Sequence, residues 1–228
     1  MATARGTRRP IHQSALWQTY QRLRYTFLFY TLLLTLLMMP LAATLGLPAV
    51  LIKSLVGACL LAAVMPNATR RTRWVLLVAM MLLVVARFVP EGAEFANVTF
   101  YLKVVGALIG LAATYGTLRF AISTKEVRQE TIYAALGTYL LAGIFFGQIY
   151  WLVESSHPGS LTGPDPVTEF TTVYYSFVTL ATLGYGDFLP RTDLTRGLAT
   201  FEVIGGQLFL AVLVARLIGS FAEKGPEN

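Results

Sequence analysis

The sequence predicts an all-α membrane protein of six transmembrane helices, with one shorter, re-entrant helix between the fifth and the sixth. Three observations predict it. Of 228 residues, 55% are hydrophobic and only 13% charged, whereas a soluble domain carries about 25% charged residues. The deficit gathers in long uncharged runs, residues 25–45 and 132–153 among them, each matching the roughly 20 residues that cross a hydrocarbon layer. The basic residues, finally, collect in alternating connections, the pattern of a chain whose cytoplasmic loops hold Lys and Arg.

Taken in order, a basic N-terminal segment (1–24) precedes spans at 25–45, 48–65, 74–89 and 98–120, which form a four-helix transmembrane domain over 25–122. A cytoplasmic linker (123–130) leads to the fifth span at 132–153, and the sixth lies at 198–220. Residues 165–187 are too few to cross twice. There Asp165-Pro166 reads as an N-cap followed by proline in the first turn, opening a helix that runs to about Ala181, about 24 Å at 1.5 Å per residue. A short cytoplasmic tail (222–228) ends the sequence, with no attached ligand-binding domain expected. No cleavable signal peptide is expected either, because Arg5, Arg8 and Arg9 run into a full-length span without a small-residue cleavage site.

Charge sets the orientation. With both termini inside, the inner segments hold Arg5, Arg8, Arg9, Arg22, Arg24, Arg70, Arg71, Arg73, Arg119, Lys125, Arg128, Arg216 and Lys224, thirteen of the 18 basic residues. The 90–97 loop, with Glu91 and Glu94, then lies outside, as does the stretch carrying Glu154, Asp165 and Glu169. The net charge of +6 therefore reads as a membrane signature and not as a nucleic-acid footprint. Cys59 has no partner cysteine and sits in an apolar run, which reads as packing. His12 and His157 lie in the terminal segment and an outer loop without cysteines or paired carboxylates at ligand spacing, so no enzyme chemistry is expected.

The most specific feature is the string Thr179-x-x-Thr182-x-Gly184-Tyr185-Gly186-Asp187. Two glycines around one tyrosine admit φ > 0, so the carbonyls of Thr182, Leu183, Gly184 and Tyr185 can face one way and replace water around an ion. The string resembles the selectivity filter of potassium channels, and residues 131–221 resemble that family's pore module: outer helix, pore helix, filter and inner helix. The resemblance implies a homotetramer in the lipid bilayer of the cell membrane, with K⁺ as permeant ligand and no cofactor or obligatory soluble domain. It implies filter support from Tyr174 and Tyr175, which stand where the family usually has Trp-Trp, from Thr179, and from Val178, where some members carry a carboxylate. It also implies a flexible inner-helix glycine about nineteen residues past Asp187, where Gly205-Gly206 falls; close helix packing is the other reading of that pair. Leu210 and Val214 follow at helical spacing as candidate inner-pore lining. Glu202, the one acid between 198 and 220, reads either as a brace behind the filter, as a partner of Arg196, or as a residue at the outer water boundary.

Six spans invite comparison with voltage-gated architecture, and the fourth span fails it. A sensor needs a base at about every third residue with acids on neighbouring helices, yet 98–120 holds only Lys103 and Arg119, and no acid occurs from Met1 to Pro90. One charge crossing the field is worth about 2.3 kcal/mol per 100 mV, so four copies of Lys103 supply at most about 9 kcal/mol. Arg87 reads as an interfacial anchor. The expectation is a K⁺-selective passive channel without strong voltage gating; the alternatives are a weakly selective or voltage-modulated cation channel, or a subunit of a potassium transporter.

Overall fold

The computed structural model describes residues 15–45, 96–123 and 128–222. Within them run α1 (Ala15–Leu45), α2 (Ala96–Ser123), α3 (Gln129–Ser156), β1 (Leu161–Thr162), α4 (Glu169–Leu180), β2 (Leu189–Pro190) and α5 (Asp193–Ala222). The expected spans at 48–65 and 74–89 lie outside the described residues, as do Cys59, Arg87, most of the N-terminal segment, the core of the 123–130 linker and nearly all of the tail. Four described helices are long and apolar enough to cross a membrane, through Leu23–Leu41, Val104–Ser123, Gln129–Ser156 and Asp193–Ser220. The protein is thus mostly helical, with apolar helices of membrane-crossing length.

Each described span outruns its sequence-based limits, because polar end residues still satisfy helical hydrogen bonds. α3 begins at Gln129 and not at Ile132, and α5 begins at Asp193 and not at Leu198. At the start of α5 the Thr195 amide donates to the Thr192 hydroxyl (3.3 Å) while the Thr192 amide donates to Thr195 (3.2 Å), a reciprocal cap that pairs two otherwise orphan amides.

α4 corrects the Asp165-Pro166 start. Its N-cap is Thr168, whose hydroxyl accepts from the Thr171 amide, and it ends at Leu180, a helix of 12 residues, or about 18 Å. The reciprocal Thr168–Thr171 pair supplies a better cap than Asp165, since it satisfies amides at both positions (2.7 and 3.2 Å).

α3 is the central element, packing against α1, α2 and α4. Near one end of α3, Tyr25, Leu28 and Leu32 of α1 meet Ala113 and Ala121 of α2 and Ala134, Ala135 and Leu141 of α3. Tyr25 stacks on Phe120 at 4.4 Å between centroids, and the Arg24 guanidinium lies over both rings (4.6 and 5.3 Å). Glu130, in the first turn of α3, accepts from the Tyr25 amide and the Thr26 hydroxyl (3.0 and 2.5 Å). At the opposite end Tyr150, Leu161, Tyr175 and Phe188 form a second core. A two-residue antiparallel ribbon closes this end, pairing Leu161 with Pro190 and Thr162 with Leu189, a local strand contact absent from the all-α expectation. Glu154 organises the turn before it, accepting from the Gly159 and Leu161 amides (2.8 and 2.9 Å).

Candidate functional site

α4 reaches its depth because α3 leaves room for it. A Cβ added at Gly147 would lie 2.6 Å from the Val173 Cα, and one at Gly143 2.6 Å from the Phe177 ring; real Cβ atoms do not approach so closely. These two glycines, one helical turn apart, bring the α4 backbone against α3. The last α4 carbonyl, that of Leu180, receives the Tyr139 hydroxyl of α3 at 3.2 Å, satisfying one of the acceptors a helix end leaves open.

Beyond Leu180 the chain turns back on its own helix. The amides of Thr182 and Leu183 donate to the carbonyls of Thr179 and Val178, both at 2.9 Å, and the Gly184 amide reaches Val178 at 3.4 Å. Val178 therefore anchors the segment through its backbone while its side chain is buried. Three successive amides are consumed on the helix side. Among the described residues, no carbonyl of Thr182, Leu183, Gly184 or Tyr185 accepts a hydrogen bond.

Backbone sign alternates along this segment. φ is +58° at Thr182, +58° at Gly184 and +78° at Gly186, with Leu183 and Tyr185 on the negative side. In a uniform extended strand successive peptides face opposite ways; inverting every second residue turns consecutive carbonyls toward one side. The glycines adopt this conformation freely. Thr182 does so against the ordinary preference of a β-branched residue, a feature the sequence reading did not anticipate. The whole stretch is exposed in the single chain, Leu183 at 55% and Tyr185 at 66%, and a Cβ on Gly184 or Gly186 would meet nothing within 4 Å. The segment thus lies uncovered in the single chain.

The aromatic pair divides its work. The Tyr174 hydroxyl donates to Asp187 Oδ2 at 2.8 Å, while Asp187 Oδ1 takes the Phe188 amide at 3.0 Å. That bond holds the Tyr174 phenol above its ordinary range, since the neutral form is the one that donates. Tyr175 is buried and packs edge-on against Tyr150 at 4.9 Å. Glu202 is fully buried; it contacts the Tyr150 hydroxyl (2.8 Å) and the Ser176 hydroxyl, which corrects both the Arg196 pairing and the water-boundary reading. Arg196 instead stands by Asp193 at 3.8 Å. The physical reason is helical phase: Glu202 lies on the α5 face turned to α4, whereas Arg196 is on the exposed first turns.

The two inner-helix glycines differ. A Cβ on Gly206 would lie 2.6 Å from Leu180 Cδ1, whereas one on Gly205 would meet nothing within 4 Å. α5 runs unbroken through both. Further along, Leu210 is half-buried and Val214 is 52% exposed. Phe201, Ile204, Leu208 and Val212 form an uncovered apolar stripe on α5, each at least 54% exposed. The residues that sequence reasoning missed are Tyr139, Tyr150 and Ser176; the Gly143–Gly147 spacing was the available signal for a helix packed closely on α3.

Comparison with known proteins bears on this geometry. Residues 134–223 match a protein-family profile described as ion channel. The chain is 32% identical over 91 residues to the inward rectifier potassium channel Kirbac3.1 of Paramagnetospirillum magnetotacticum, covering 38% of this chain and 28% of that protein. It is 40% identical over 62 residues to probable potassium channel protein 2 of Methanocaldococcus jannaschii, 25% of this chain and 18% of that one. It is 28% identical over 109 residues to the voltage-gated potassium channel regulatory subunit KCNF1 of Rattus norvegicus, 47% of this chain and 20% of the relative. The chain spans between 18% and 28% of the length of these curated relatives. No solved structure matches it.

Proposed function

Since the chain belongs to the potassium channel family through its ion-channel region at 134–223, we propose that it is a K⁺-selective pore subunit whose 182–187 segment is the selectivity filter. The observation that carries this reading is the φ alternation at Thr182, Gly184 and Gly186, together with amides spent on α4 and carbonyls left unpaired. Such a ladder offers a dehydrated cation a set of oxygen dipoles in place of water. One chain supplies one side of the cage. Four copies around an axis complete it, and the uncovered α5 stripe together with the exposed filter supports assembly with further copies.

The C-terminus of α4 adds a partial negative charge just below the ladder, favouring a cation where desolvation is most costly. Tyr174 holds Asp187 at the outer end, and Tyr175 fixes the back of the helix. Leu210 and Val214 line the inner vestibule, and Gly205, with free space around it, is the candidate bend of the inner helix. The subunit sits in the cell membrane with both termini cytoplasmic, conducts passively and is not strongly voltage-gated. It needs no cofactor beyond the permeant ion.

Rubidium uptake into liposomes under a K⁺ gradient, with Na⁺ competition, tests the reading. Wild-type protein takes up rubidium selectively. Gly184→Ala, which forces a side chain onto a residue at φ +58°, abolishes selective uptake; unchanged selectivity in that variant rejects the filter assignment.

A further inference from the structure

The Ser176 hydroxyl has two oxygen neighbours and one proton. It lies 2.7 Å from the Gly143 carbonyl and within hydrogen-bond distance of Glu202 Oε1. A carbonyl can only accept, so the Gly143 contact consumes the serine proton. The contact with Glu202 then has a hydrogen only if the carboxyl supplies it. On its other oxygen, Oε2, Glu202 accepts a hydrogen bond from the Tyr150 hydroxyl at 2.8 Å. The titratable groups facing this carboxyl are phenols, Tyr150, Tyr175 and Tyr139, and the described residues give it no basic partner. A buried carboxylate without a cation is costly, and the neutral acid satisfies every atom in the group.

We infer that Glu202 is a neutral carboxylic acid whose proton closes a one-directional hydrogen-bond chain from Tyr150 through Glu202 and Ser176 to the Gly143 carbonyl, making it the positioning residue that registers the inner helix against the pore helix. The chain joins α3, α4 and α5 through three side chains. One turn along α5, Gly206 packs against Leu180 at the end of the same α4, so the two contacts together fix both height and rotation of the helix that carries the oxygen ladder. Ionising Glu202 would leave Ser176 facing two acceptors with one proton and break the chain in its middle. This inference deepens the proposed K⁺ pore and rests on it for its functional meaning, but not for the protonation itself.

Infrared difference spectroscopy of the purified full chain in lipid, paired with rubidium uptake, tests it. The wild type shows a protonated-carboxyl stretch at neutral pH that disappears in Glu202→Gln. Glu202→Gln keeps selective uptake, since the amide accepts from Tyr150 and donates to Ser176, whereas Glu202→Ala loses it. Ser176→Ala, which removes the acceptor with little change in volume, shifts the carboxyl band without removing it, and supplies the reading should Glu202→Ala fail to fold. Absence of a Glu202-dependent band, or a Glu202→Gln variant as defective as Glu202→Ala, overturns the inference. The band without any rubidium uptake by the wild type leaves the neutral acid standing and rejects the K⁺ pore; selective uptake without the band does the reverse.

Discussion

The two ends of α3 are held by different physics. At the Gln129 end, α1 and α2 meet it through apolar side chains, stacked rings and an arginine over them, with Glu130 as the main polar tie. The buried threonines Thr35 of α1 and Thr117 of α2 return their hydroxyls to their own helices, to the carbonyls of Thr31 and Ala113. From the middle of α3 to its Ser156 end, long-range polar bonds run between elements: the Tyr139 hydroxyl with the Leu180 carbonyl, Glu202 with both Tyr150 and Ser176, and the Thr195 hydroxyl with the Ser160 carbonyl. Apolar contact is non-directional and tolerates sliding, while hydrogen bonds fix distance and angle. The peripheral helices therefore supply a packed surround, and directional contacts are spent where a segment must keep its geometry.

Substitutions can break or sharpen that contrast. The largest effect is expected at Gly147→Val. Its added carbons meet the Val173 backbone, overpacking costs about 1–3 kcal/mol and occasionally more, and α4 cannot yield without moving the ladder; lost rubidium uptake with lowered thermal stability checks this. Next comes the pair Gly206→Ala and Gly205→Ala. The first must displace Leu180 and reduces flux, whereas the second has room and stiffens α5 by about 1 kcal/mol. Single-channel recording separates the two, and an unchanged open probability in Gly205→Ala removes it as the bend. Tyr174→Phe deletes the bond to Asp187 and shifts K⁺/Na⁺ permeability ratios modestly. The smallest effect belongs to the periphery: Lys103→Gln leaves the conductance–voltage curve nearly unmoved, and a large loss of steepness there would make the fourth span a sensor after all.

Much of the helical framework was legible because burial in a bilayer demands long apolar runs, and residues 25–45, 98–120, 132–153 and 198–220 carry them. Helix ends were less legible. Asp165-Pro166 has the right chemistry for a cap, but the Thr168–Thr171 exchange satisfies two amides at once and wins. The string at 182–187 announced a turn requiring positive φ at its glycines, yet nothing in the residue type of Thr182 announced the same sign there.

By itself, then, the sequence determined the solvent of this protein, the rough register of its apolar helices and the one segment whose glycines permit an unusual backbone, since these follow from local composition and sterics. Tertiary structure alone decided which of two adjacent glycines is crowded, that Glu202 turns inward to Tyr150 and Ser176 and away from Arg196, and that Tyr139 closes the end of α4. Those outcomes depend on which helix faces meet, and residues 26 to 52 positions apart in the chain meet only once three helices have packed.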